Sequence, residues 1–183
     1  DLHQLLFPFR GESGERFRIV PDGPGTVAIG PDAEGIGRLE IEQVGNQVEG
    51  LLGDDPRLNV ALIRESLRQA LDRHIPTTQL QSQRLVLQRL ACDADMVLDL
   101  HCDFEAVAHL YTTPEAWPQV EPLARYIGAE ASLLATDSGG QSFDECFTLL
   151  WWQLQQRFGQ RFAIPLGSFS VTLELRGQGD VNH

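Results

Sequence analysis

The amino-acid sequence predicts an α/β fold, with a mostly parallel or mixed central sheet flanked by helices. Segments with helical and strand periodicity alternate from Pro56 onward. Met96–Leu100 is a nearly continuous apolar run, the pattern of a strand covered on both faces. Ser168–Arg176 alternates between apolar and polar side chains, the pattern of a strand with two different faces. The 183 residues, 42% of them hydrophobic, suffice for one core, so we expect a single domain over residues 1–183.

The first third of the chain predicts short strands joined by tight turns. Apolar runs at Phe17–Val20 and Thr26–Ile29 flank a turn of sequence Pro-Asp-Gly-Pro-Gly. Leu39, Ile41 and Val44 nearly alternate with polar residues, which predicts a further strand with one solvated face.

Helical periodicity begins after Pro56. Apolar residues three or four positions apart define the first predicted helix, at Val60, Ile63, Leu67 and Leu71. A second helix is predicted over Thr78–Cys92, with Thr77 or Thr78 as its N-cap. Its predicted buried side consists of Leu80, Leu87, Leu90 and Ala91.

The remaining elements continue the alternation. The pattern predicts a helix over Val120–Ile127, a strand over Ala131–Thr136 and a helix over Phe143–Phe158. Ser142 and Glu145 are spaced as a capping box at the start of the last helix. We expect most of its large apolar residues to pack in the core, namely Trp151, Trp152, Leu154 and Phe158.

Charge and composition argue against several partners. The formal net charge of -12 repels a phosphate backbone, so no nucleic acid is expected. No run approaches the roughly 20 apolar residues of a membrane span, so no membrane partner is expected. The cysteines, Cys92, Cys102 and Cys146, are widely spaced and odd in number, which indicates reduced thiols in a cytoplasmic protein.

Chemically competent residues gather where the Met96–Leu100 strand ends, the position at which open α/β sheets bind ligands. The side chains predicted to share one side of this segment are Asp99, His101, Asp103 and Glu105. His101 can then bind a metal ion while a neighbouring carboxylate orients its second ring nitrogen. A histidine that is merely hydrogen-bonded in a strand-to-loop corner gives the same pattern.

His109 and Tyr111 follow closely and can line the same pocket. Cys102 and His109 together would suit a thiol hydrolase. However, neither a helix N-terminus nor a cationic cluster flanks Cys102 in the sequence, so a small buried thiol is the simpler interpretation.

Glu174 lies in the middle of the last predicted strand, on the same side as Arg176. A buried carboxylate needs a partner or a proton, which makes Glu174 a candidate general base or acid. Arg176 would stabilise that anion or bind a substrate carboxylate with two hydrogen bonds. A solvated edge strand with a structural ion pair gives the same alternation.

Four segments complete one pattern: Ala94–Asp103, which contains Asp-Leu-His; His109–Tyr111; Phe143–Glu145; and Val171–Gly177, which contains Glu-Leu-Arg-Gly. With this pattern the chain resembles, from about Pro56 to Val181, the succinylglutamate desuccinylase/aspartoacylase branch of the zinc carboxypeptidase-like hydrolases. The resemblance implies a carboxypeptidase-like sheet flanked by helices. It also implies hydrolysis of an amide bond in a small N-acylated amino acid or a similar carboxylate-bearing substrate.

In that family one zinc ion is held by a His-x-x-Glu pair and a later His, and a strand-borne Glu activates the metal-bound water. By resemblance, His101 is the later zinc ligand and Glu174 is the general base. Arg176, predicted on the same face of its strand, is also expected in the catalytic site. The expected cofactor is one zinc ion per chain of the complete protein. Residues expected in the pocket or around the ligands are Asp99, Asp103, His109 and Tyr111.

The sequence also departs from the family pattern. It contains no His-x-x-Glu, and Pro31-Asp32-Ala33-Glu34 stands at the best positional counterpart. The expected Asn-Arg motif is absent before the first clear helix. The chain stops at His183, before the family's C-terminal β-rich region, so the fold is expected to be incomplete.

Two alternatives therefore stay open. One is a catalytically silent carboxypeptidase-like domain that binds a small anionic ligand through Arg176, or a protein partner. The other keeps a metal ion but rebuilds its site from His101, Asp103 and His109, all of which are competent zinc ligands.

Overall fold

The computed structural model describes residues 20–21, 27–28, 36–136, 143 and 145–180. Strands β1 (Val20–Pro21) and β2 (Val27–Ala28) pair antiparallel. The main sheet of the described residues consists of β3 (Met96–Asp103), β4 (His109–Thr112), β5 (Ala131–Leu134) and β6 (Phe169–Gly177). The strand order is β3, β6, β4, β5. The sheet is mixed because β6 runs parallel to β3 but antiparallel to β4.

The helices of the described residues are α1 (Ile36–Val48), α2 (Pro56–Arg73), α3 (Gln79–Ala91), α4 (Trp117–Ile127) and α5 (Glu145–Phe158). Asp55 caps α2, because its carboxylate accepts a hydrogen bond from the Arg57 backbone at 2.8 Å. Thr78 caps α3 by accepting from the Gln81 backbone at 3.1 Å. The predicted capping partner Ser142 lies outside the described residues. None of the helices in the described ranges is both long enough and apolar enough to cross a bilayer.

Two apolar cores lie on opposite faces of the sheet. The larger core joins α1, α2, α3 and α5 to Val97 of β3. The smaller core packs α4 against Leu110 of β4 and against Val171 and Leu173 of β6. The predicted α/β fold with a mixed sheet flanked by helices is confirmed. The large apolar residues of α5 that are buried as expected are Trp151, Leu154 and Phe158.

The strand predicted at Leu39, Ile41 and Val44 is wrong, because these residues lie in α1. Val44 and Val48 are both fully buried, and a spacing of four residues places them on one face of a helix. The helical spacing, rather than the imperfect alternation, therefore describes this segment.

The buried side of α3 also differs from the predicted one. The residues that it buries are Leu85, Gln88 and Ala91. Of the four predicted, only Ala91 is buried, whereas Leu80, Leu87 and Leu90 are exposed. Leu85, Gln88 and Ala91 are three residues apart and form a stripe as regular as the predicted one. Packing against α2 and α5 selects this stripe.

Strand β3 is less covered than the sequence predicts. Within the described residues it has β6 as its neighbour on one side only, and Val97 is its one buried residue. The core under α4 contains residues of β4 and β6 but none of β3. The apolar run Met96–Leu100 therefore has one covered face in this part of the chain, rather than two.

This difference in burial predicts that truncation of two leucines on neighbouring strands destabilises the protein by different amounts. Leu98 is 43% exposed, whereas Leu173 is 4% exposed. We expect Leu173→Ala to lower the free energy of unfolding by about 2 to 5 kcal/mol. Leu98→Ala should cost less than about 1 kcal/mol, because much of that side chain already contacts water. Urea denaturation measures both, and equal costs would contradict the exposure of this face.

Candidate active site

Strand pairing brings the predicted site residues onto one face of the sheet. Glu174 on β6 is the register partner of His101 on β3 and of His109 on β4. A second row forms in the same way around Thr172. Register partners project to the same side of a sheet. We call these six residues the polar face: Asp99, His101, His109, Tyr111, Thr172 and Glu174.

The polar face lies just beyond the part of the sheet on which α5 packs. Ser170, two residues before Thr172, is buried against this helix, and its backbone N–H donates to Thr148 Oγ1 at 2.8 Å. Farther along β6, Glu174 is half-buried, and His101 beside it is half-exposed. The carboxyl ends of β3 and β6 therefore form an accessible edge, where α/β sheets bind ligands.

His101 lies beside the carboxylate of Asp99. Its Nε2 is 3.0 Å from Asp99 Oδ1. The Nδ1 atom makes no hydrogen bond with any described residue, and in the neutral tautomer with its proton on Nε2 it carries a free lone pair. A carboxylate beside one ring nitrogen, with the other nitrogen available to a ligand, is a feature of many metal-bound histidines.

Glu174 presents a carboxylate oxygen without a partner. Its Oε2 is buried and accepts no hydrogen bond from any described residue. Burial of a carboxylate oxygen without a donor is costly, so each such atom in a folded protein needs an explanation. Glu174 lies between His101 and His109 on an accessible edge of the sheet, a position that is open to a ligand.

His109 is held from two directions. Its Nδ1 donates to the carbonyl of Val107 at 2.8 Å, and its ring meets the Tyr111 ring edge-to-face at 5.3 Å. Burial raises the pKa of the Tyr111 hydroxyl, and the negative charges of Glu174 and Asp103 raise that pKa further. Tyr111 therefore stays a neutral hydrogen-bond donor well above neutral pH.

Arg176 was predicted to project to the same side of β6 as Glu174, because side chains alternate along a strand. The structure breaks this alternation. His101 pairs with Glu174, but Asp103 pairs with Gly177, so β6 carries one extra residue in a bulge. Arg176 lies in this bulge with φ 76°, in the left-handed region. Its side chain is exposed and forms no ion pair with Glu174. The predicted stabilisation of Glu174 by Arg176 is therefore wrong.

The alternative metal site built from His101, Asp103 and His109 is also wrong. Asp103 Oδ1 accepts a hydrogen bond from the Phe104 backbone at 2.6 Å, so this carboxylate stabilises the turn after β3. The two histidines lie on strands separated by β6, with backbones about 10 Å apart. Among the described residues, no three potential ligands are grouped closely enough to hold one metal ion.

The cysteines do not form a nucleophilic site with the polar face. Cys102 is exposed rather than buried as predicted, and no hydrogen bond joins its thiol to His109. Cys92 is buried, and burial raises the pKa of its thiol, which makes it a poor nucleophile. The described geometry therefore does not support a thiol hydrolase.

Comparison with solved structures identifies the fold. A Shewanella amazonensis protein assigned to the succinylglutamate desuccinylase/aspartoacylase family is 26% identical, with a TM-score of 0.61, over 78% of this chain and 38% of that one. A Shewanella frigidimarina protein assigned as succinylglutamate desuccinylase/aspartoacylase is 25% identical, with a TM-score of 0.60, over 79% and 38%. This chain has the fold of succinylglutamate desuccinylase/aspartoacylase family proteins. No protein-family model and no curated protein matches the sequence.

The resemblance to this family is confirmed at the level of the fold. The chain spans 38% of the length of the two family structures. Asp-Leu-His lies near the carboxyl end of β3 and Glu-Leu-Arg-Gly ends β6, so the two motifs that carry the resemblance are adjacent in the sheet.

Sequence reasoning missed the strand that completes the polar face. Strand β4 is four residues long and was expected only as a pocket-lining segment. Its antiparallel pairing with β6 places His109 beside Glu174. The aromatic and β-branched residues of His-Leu-Tyr-Thr-Thr were the available signal for a strand.

Proposed function

We propose that this chain contributes part of the active site of a hydrolase that cleaves an amide bond in a small N-acylated amino acid or a similar carboxylate-bearing substrate. The observation that carries the proposal is the buried Oε2 of Glu174, which has no hydrogen-bond partner among the described residues and lies on the strand next to His101. The family assigned to the two structural neighbours supports the reaction class.

In this proposal Glu174 is the general base. Its free Oε2 takes a proton from the attacking water, and the resulting acid passes that proton to the leaving amine. Half-burial beside two histidines keeps the carboxylate partly shielded from solvent, which favours proton transfer to a bound group over exchange with bulk water. Arg176, exposed at the end of the same strand, is the candidate for binding a substrate carboxylate.

The residues present fit one part of a zinc site. His101 can offer a nitrogen lone pair, and the carboxylate of Asp99 lies 3.0 Å from its Nε2, the kind of neighbour that metal-bound histidines have. A bound zinc ion would supply an activated water at neutral pH. Because the described residues contain no group of three ligands, we propose that the other ligands come from residues outside the described ranges or from the remainder of a longer protein.

Zinc content tests this proposal. The full-length native protein is purified with zinc supplementation, and the metal is counted by elemental analysis in wild type, His101→Ala and His74→Ala. His74 is the matched control, because it lies at the end of α2 and outside the polar face. We expect near one zinc per chain in wild type and the control, and at least a tenfold loss in His101→Ala, consistent with loss of a ligand.

Absence of zinc from the wild type would contradict the zinc mechanism for this chain. It would favour the second candidate, a catalytically silent domain that binds a small anion through Arg176. The observation behind that candidate is the missing His-x-x-Glu together with the absence of a three-ligand group among the described residues. We also propose a cytoplasmic location, which the thiols of Cys92 and Cys102 support because neither is in a disulfide.

A further inference from the structure

The hydroxyl of Tyr111 is a fixed hydrogen-bond donor on the polar face. The Tyr111 ring is held edge-to-face against His109, with an interplanar angle of 71°. His109 is itself buried and bonded to the Val107 carbonyl, so the pair has little freedom to move. The Tyr111 hydroxyl makes no hydrogen bond with any described residue, and the side chain is 40% exposed. A rigid donor that is accessible from solvent is therefore available to a ligand.

The strand register places this donor close to Glu174. Tyr111 is the register partner of Thr172, and Glu174 lies two residues farther along β6. Such diagonal neighbours are about 7 to 8 Å apart at the backbone, within reach of an aromatic side chain. The charges of Glu174 and Asp103 both act on the Tyr111 hydroxyl, so they lie near the position that the ligand atom would take.

The negative charges near Tyr111 determine which kind of ligand group can accept a hydrogen bond from its hydroxyl. A carboxylate bound at the Tyr111 hydroxyl would be repelled by Glu174 and Asp103 across a partly shielded site. An uncharged carbonyl oxygen accepts the same hydrogen bond without that repulsion. The side of the polar face formed by β4 therefore suits the neutral part of a substrate better than its carboxylate.

We propose that the Tyr111 hydroxyl binds the uncharged acyl carbonyl oxygen of the substrate and that His109 positions the Tyr111 ring for this contact. The inference rests on the proposed function for the identity of the substrate, but the hydrogen bond itself is a property of binding. Measurement of binding apart from turnover therefore separates a failure of the inference from a failure of the proposed function.

The test compares Tyr111→Phe with Tyr126→Phe in the full chain. Each change removes one hydroxyl and keeps the ring, and Tyr126, 90% exposed on α4, is the chain's other tyrosine. Binding of a set of N-acetyl amino acids is measured by calorimetry in the Glu174→Gln background, where turnover is blocked. We expect Tyr111→Phe to weaken the tightest of these ligands by about 3- to 10-fold, the loss of one neutral hydrogen bond. Tyr126→Phe should leave binding unchanged.

Equal affinities in the two variants would overturn the inference, as would failure of every N-acetyl amino acid to bind. Hydrolysis is assayed separately with Glu174 intact. Binding that depends on Tyr111, without hydrolysis by the wild type, would support the inference and contradict the proposed function. Circular dichroism confirms that both variants are folded, which is expected because the Phe ring keeps the contact with His109.

Discussion

Glu174→Gln should reduce hydrolysis of an N-acylated amino acid by about 100- to 10,000-fold, the usual contribution of a general base. Glutamine keeps the size and shape of the side chain but does not take up the proton of water. The chain should fold at least as stably as the wild type, because the change replaces a carboxylate whose Oε2 is buried without a donor. Activity should therefore fall while stability is kept, whereas an unfolded variant would lose both.

Glu130→Gln is the matched control for this change. Glu130 is exposed just before β5 and lies outside the polar face, and its substitution removes the same charge from the chain. Steady-state rates and thermal unfolding midpoints are measured for the wild type and both variants. A Glu174→Gln rate within about threefold of the control would exclude Glu174 as the general base, because removal of a general base lowers the rate by far more than about threefold.

The sequence was sufficient to predict the two strands that carry His101 and Glu174. Met96–Leu100 and Ser168–Arg176 have strand patterns, and both segments form strands close to the predicted bounds. Polar residues at the carboxyl ends of such strands indicate a site, because those ends open into the ligand-binding edge of the sheet. His101 and Glu174 could therefore be singled out before their adjacency was known.

The adjacency itself depends on long-range pairing that no local pattern contains. Strand β6 is last in the chain but lies between β3 and β4, which puts Glu174 between two histidines. The period of two predicts a common side for Glu174 and Arg176, but one extra residue in the bulge ends that relation. Short strands and single insertions are the features that local periodicity resolves least well.

The predicted packing of α5 was more reliable because it depends on size and helical spacing. Trp151 is 1% exposed, and its ring lies directly against Gly167, where an added Cβ would come within 2.5 Å of Cη2. The Gly167 carbonyl in turn accepts a hydrogen bond from Arg64 at 2.6 Å. The tryptophan thus fills the space between α5 and the segment that leads into β6.

Trp151→Ala should therefore lower the free energy of unfolding by about 3 to 5 kcal/mol, the cost of truncating a buried aromatic residue. One wall of the resulting cavity is the Gly167 backbone, which Arg64 holds in place through a hydrogen bond. This wall cannot readily move in to fill the cavity, so little of the lost stability is regained. Trp152→Ala is the control, since Trp152 is the next residue on α5 and is only half-buried. Urea denaturation is followed by far-ultraviolet circular dichroism, which does not rely on the removed fluorophore. If Trp152→Ala costs as much as Trp151→Ala, then Trp151 is not the residue that joins α5 to the segment before β6.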